Sequence, residues 1–166
     1  MRSITGTLLD MRNSILIFIT LIVLLGTSAA QGFDVDGLKN GMNKEAVMAI
    51  FSRLNFENVM DKGDQVQFYD LNVKGNNRYS AVTFKNNKLV GYSKNLRPSM
   101  SNYIKAFKSL SEEYGATVKC KSTSETISVG EIEELHCTWL SPIDEVSIIY
   151  SILPSSDQLS VSYIAR

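Results

Sequence analysis

Apolar and polar positions change rhythm several times along this chain, and each rhythm predicts an element. First comes an apolar run from Ile15 to Leu25, interrupted only by Thr20. Helical spacing follows at Val47, Ile50, Phe51 and Leu54. With Asn43 placed as an N-cap, it predicts a helix from about Lys44 to Arg53. Val66 and Phe68 then alternate with Gln65 and Gln67, the period of a half-buried strand. Lys74-Gly75-Asn76-Asn77 reads as a turn. Tyr79–Phe84 and Leu89–Ser93 flank Lys85-Asn86-Asn87-Lys88, a hairpin signal because Asn tolerates positive φ.

The second half repeats the layout. Pro98-Ser99-Met100-Ser101 opens a helix whose apolar face is Tyr103, Ile104, Phe107, Leu110 and Tyr114, and Gly115 stands where a left-handed cap is wanted. Two strands, Ala116–Ile127 and Ile132–Leu140, fold about Ser128-Val129-Gly130-Glu131. Two more, Val146–Leu153 and Leu159–Ala165, are joined by the turn Pro154–Gln158. The expected fold class is α+β: two helices packed on antiparallel sheet. The expected layout is a single domain over 31–166, with helix-plus-strands subunits at 31–95 and 96–166 joined by the short linker Lys94–Arg97.

The first apolar run decides the compartment. Arg2 and Arg12 precede it, and Ser28-Ala29-Ala30 follows with the small side chains a signal peptidase accepts, which places cleavage before Gln31. A spanning helix needs about 20 apolar residues, and this run is shorter. The competing reading is an uncleaved N-terminal anchor. With 1–30 read as a cleaved signal peptide, removing Arg2, Arg12 and Asp10 leaves 15 basic against 16 acidic residues. No basic stripe exists, so nucleic acid is not an expected partner. No later run is long enough to span a membrane, and the expected location is periplasmic or secreted.

Export makes the two cysteines, Cys120 and Cys137, legible. An even count without metal-ligand spacing favours a disulfide in an oxidising compartment, two buried thiols being the other possibility. Folding the hairpin about Ser128–Glu131 brings Cys120 and Cys137 opposite or nearly opposite each other on adjacent strands.

The phrase Gly37-Leu38-Lys39-Asn40-Gly41-Met42-Asn43-Lys44-Glu45-Ala46-Val47 resembles the helix opening of SmpA/OmlA-type envelope proteins. It is also similar to that of domains with the β-lactamase-inhibitor-protein-like fold. The resemblance covers about a dozen residues and the order of elements. It implies helices on one face of an antiparallel sheet and a role in envelope assembly or in inhibiting another protein. Unlike the lipoprotein members, this chain has no cysteine at the cleavage point.

Candidate chemistry is sparse. His136 is the only histidine; it neighbours Cys137, but successive strand residues face opposite ways, so a surface histidine is expected. Asp144 and Glu145 diverge for the same reason and read as a solvated turn. There is no glycine-rich phosphate loop and no nucleophile elbow. The chain is expected not to be an enzyme and to need no cofactor or metal.

Aromatic residues in the strands remain as candidates for binding a protein partner: Trp139, Tyr69, Tyr92 and Tyr150. They could instead line the core. Trp139 shares a face with Cys137 and Leu135, so its role depends on which face is covered. The expected function is an exported, non-catalytic protein-interaction module. The alternative is a periplasmic small-ligand carrier or a minor enzyme with a pocket between helix and sheet.

Overall fold

The computed structural model describes residues 32–54, 56–73, 78–115 and 118–166. The expected leader and its cleavage point, the Lys74–Asn77 turn and Ala116 lie outside them. Residues Gly32–Arg166 cluster as one unit. It opens with a two-strand hairpin, β1 (Asp34–Val35) and β2 (Leu38–Lys39). Asp36 and Gly37 turn this hairpin at φ 55° and 80°. Helix α1 (Lys44–Phe51) begins where Asn43 accepts the Ala46 N–H, the orphan donor an N-cap satisfies. Four strands follow: β3 (Phe56–Asp61), β4 (Gln65–Asp70), β5 (Ser80–Lys85) and β6 (Lys88–Leu96). Helix α2 (Met100–Tyr114) is capped by Ser99, which accepts from the Asn102 N–H at 3.1 Å. Four more strands close the chain: β7 (Val118–Ile127), β8 (Gly130–Leu140), β9 (Asp144–Ile152) and β10 (Gln158–Ala165).

All eight strands from β3 to β10 form a single antiparallel sheet in the order β3-β4-β5-β6-β10-β9-β8-β7. This corrects the expected α+β class. The chain is mostly β, with helices of 8 and 15 residues against an eight-stranded sheet, not helices and sheet in equal measure. Two features explain the difference. Strand β3 was not anticipated, because Asn58 at φ 51° and a register shift between Glu57 and Met60 break its period of two. Strands β6, β8 and β9 also run longer than their apolar alternation. The strands of the two halves are moreover continuous, since β6 and β10 pair from Leu96↔Leu159 to Gly91↔Ile164.

One sheet face carries the core. Under α1, Phe51, Phe56 and Phe68 meet with ring centroids 4.2–5.1 Å apart. Under α2, Tyr103 lies 5.9 Å from Tyr150, and Phe107 lies 5.3 Å from Trp139. Between them Val82, Tyr92, Tyr163, Val146 and Ile148 are buried. Each such side chain contributes roughly 1.5–3 kcal/mol by leaving water. The other face is open and built of short polar side chains. Register aligns Thr138, Ser147, Ser162, Ser93 and Ala81 across five strands. Asn86 and Asn87 turn the β5–β6 hairpin at φ 52° and 59°, as Asn permits.

Candidate functional site: a groove beside the second helix

Helix α2 is amphipathic, and its position leaves part of the sheet uncovered. Tyr103 and Leu110 point into the core, and α2 packs on β9. Its hydroxyl end reaches further: Tyr103 Oη lies 3.2 Å from Cys137 Sγ on β8. β7 is exposed over almost its whole length.

The flank of α2 that faces this gap carries Met100 and Ile104, one turn apart and on the side of Phe107. Met100 is 48% and Ile104 57% exposed, high values for large apolar side chains beside a core. Met100 overhangs a half-open groove of about 380 Å³. Leu135, Tyr150 and Ile152 supply its apolar floor, Ser122 and Ser124 its β7 side, and Glu133 an acidic contribution, while the Glu134 carboxylate accepts from Ser151 on the other face. Tyr150 is fixed there by donating its hydroxyl to Asp157 at 2.5 Å. That bond holds the phenol pKa up at about 12, with burial adding to the effect.

The disulfide ties β7, on the groove's outer side, to β8. Cys120 and Cys137 are directly opposed and bonded, as the hairpin pattern predicted. Trp139, two residues on, is 1% exposed and packs against Phe107 on the helix-covered face. Its Nε1 has no hydrogen-bond partner among the described residues. Tyr92 is buried too, donating to Asp36 at 3.0 Å, while burial and that carboxylate hold its pKa well above the ordinary value. Tyr150 is buried but floors the groove. Tyr69 is on the other face of the sheet, stacked on Tyr79 with centroids 3.9 Å apart. The four aromatics therefore do not converge on one surface.

The groove residues Met100, Leu135 and Ile152, and Ile104 one turn along α2, were not singled out as a site by the sequence. Ile104 was counted in the apolar face of α2, but it lies about 100° round the helix from Tyr103, at the edge of that stripe. Nothing in the sequence shows that the sheet beneath this edge is left open.

The remaining polar candidates separate. His136 is half-buried on the open face, with Nε2 3.2 Å from Thr138 Oγ1, and its neighbour Cys137 points the other way. Asp144 departs from the solvated turn expected of it. It is buried and accepts the Phe33 N–H at 3.1 Å. Burial pushes its pKa up, the Phe33 hydrogen bond opposes this, and the Glu113 charge adds to it. Gly32 makes the approach possible, because a Cβ there would meet Asp144 Oδ1 at 2.8 Å. Asp144 thus anchors the entering chain to β9. Glu145 is on the opposite face.

Among the described residues no cluster of three or more His, Cys, Asp or Glu is placed to hold a metal ion. No described helix is long and apolar enough to cross a membrane. No family model, curated protein or solved structure matches the chain.

Proposed function

We propose that this chain is an exported, non-catalytic interaction module that holds an apolar segment of another protein in the groove between α2 and β7–β9. The observation that carries the reading is the exposure of Met100 and Ile152 at that groove, with Ile104 exposed one turn along α2 from Met100. Contiguous apolar surface costs free energy in water and marks interaction sites when it persists on a folded domain. Glu133, on the groove face of β8, gives the partner segment its chemistry: apolar side chains with a basic one among them. The leader-like 1–30 segment and the disulfide support a periplasmic or secreted location. An envelope-assembly accessory or a protein inhibitor, the roles implied by the Gly37–Val47 resemblance, both fit such a groove.

The test compares capture from envelope fractions by the wild-type chain and by a Met100→Glu/Ile104→Glu variant with unchanged circular dichroism. Both positions are exposed, so the fold tolerates the charges. A stoichiometric protein held by the wild type and released by the variant supports the reading. Equal capture by both removes the groove from consideration.

The carrier alternative rests on the groove volume alone, which lies within the range of small-molecule sites. Native mass spectrometry of the purified chain showing a bound small molecule, lost in the same variant, would favour it.

A further inference from the structure

Strand β7 ends the sheet, and among the described residues it pairs only with β8. Its register runs without a shift from Val118↔Trp139 to Ile127↔Gly130. The Cα atoms of Cys120 and Cys137 are 4.1 Å apart, the spacing of a narrow, non-hydrogen-bonded pair. Alternation along the ladder then turns the N–H and C=O groups of Cys120, Ser122, Ser124 and Thr126 outward, to a free edge. The disulfide pins that edge to the sheet, so its donors and acceptors are held in a fixed line.

The charges on this strand are arranged to match an inverted copy of themselves. Lys119 and Lys121 stand near one end and Glu125 near the other, all on the open face of the sheet. A two-fold axis through Thr123 places Lys121 opposite Glu125 of a second copy, and Glu125 opposite its Lys121. The same register sets Ser122 against Ser124 and Cys120 against Thr126, the pairs whose backbone groups point outward. Parallel in-register pairing would instead oppose Lys to Lys and Glu to Glu, which is unfavourable. At the far end of the sheet, the bulge in β3 interrupts the ladder a further copy would need.

We propose that β7 is a homodimerisation edge, joining two copies antiparallel across Thr123 into one continuous sheet. The interface is isologous, so it closes at two copies. The proposal is independent of the groove's occupant, although it would place the two grooves on either side of one seam.

Analytical ultracentrifugation of the full chain, expressed with its leader and purified after export, tests this. A monomer–dimer equilibrium is expected at micromolar concentrations. Ser122→Pro removes an outward donor without touching the β8 ladder and should leave a folded monomer. Lys121→Glu and Glu125→Lys should each weaken the dimer about tenfold, and the two together should restore it. A monomer at every concentration up to about 1 mM, a dimer that survives Ser122→Pro, or open-ended oligomers would overturn the proposal. Failure of the double charge swap to rescue would overturn the register across Thr123. Met100→Glu/Ile104→Glu should leave the dimer intact, which separates this result from any failure of the groove reading.

Discussion

At one end of the sheet β3 is six residues long and bulged, with Asn58 in the left-handed region. Lys44 reaches over from α1 to Asp61 at 2.6 Å and to the Gly63 carbonyl at 2.8 Å. At the other end β7 runs ten residues in unbroken register, clamped by a disulfide and exposed over almost its whole length. Unpaired strand edges are a hazard because they offer a template to other chains. The β3 edge meets the hazard by irregularity and a side-chain tether. The β7 edge keeps the template and makes it rigid. On the proposed reading the working side of the molecule is the β7 end, where the groove and the outer edge of the described sheet both lie.

Substitutions should separate the two ends in order of effect. Trp139 supports β8 beneath α2, and Trp139→Ala should cost about 3–5 kcal/mol in denaturant unfolding. Trp139→Phe should cost much less, because Nε1 has no hydrogen-bond partner among the described residues. Equal losses from the two would show that the indole N–H is bonded after all.

Replacing Cys120 and Cys137 together by Ala opens a link across a sequence separation of 17 and should cost about 3 kcal/mol. The loss should come with faster amide exchange in β7 and none in β3. If both edges loosen alike, the disulfide stabilises the fold generally and does not act as an edge clamp.

At the β3 edge, Asn58→Val forces a β-branched residue to φ 51° and should cost about 1–2 kcal/mol, while Asn58→Gly should be nearly neutral. A smaller effect is confined to alkaline solution. Tyr150 has its pKa raised to about 12 by Asp157, so the unfolded phenol ionises first. Its contribution is complete below pH 10 and lost as pH rises through about 12. Asp157→Asn should flatten this decline in a melting series, and an unchanged profile would remove Tyr150 as its source. Smallest of all, Ser122→Pro should change monomer stability by under about 0.5 kcal/mol, since its N–H faces solvent.

Much of the β7 end was legible in the sequence. Turn chemistry at Ser128–Glu131 marked the hairpin and set Cys120 and Cys137 opposite or nearly opposite; the tighter observed turn, with Ile127 facing Gly130, makes them directly opposed. The Asn43 cap and the opening phrase Pro98–Ser101 marked both helix starts. Period-two logic put Trp139 on the face of Cys137, but only the fold shows that this face is the covered one. β3 was illegible for the opposite reason: its bulge erases the alternation by which strands are recognised. The groove was hidden because it depends on where α2 sits over the sheet, a long-range outcome that helical spacing at Met100, Ile104 and Phe107 does not encode. The balance of fold class failed on related ground, since the polar edge strand β3 carries little apolar signal and the pairing of β6 with β10 that merges the halves into one sheet is long-range.

Residue-resolved amide hydrogen exchange at low and high protein concentration tests the role of the β7 edge most directly. Cys120, Ser122, Ser124 and Thr126 should exchange quickly in dilute protein and become protected as concentration rises. Lys119, Lys121 and Thr123, whose amides face β8, should stay protected throughout, and β3 should not respond. Outward amides that exchange at the same rate at every concentration would contradict the account.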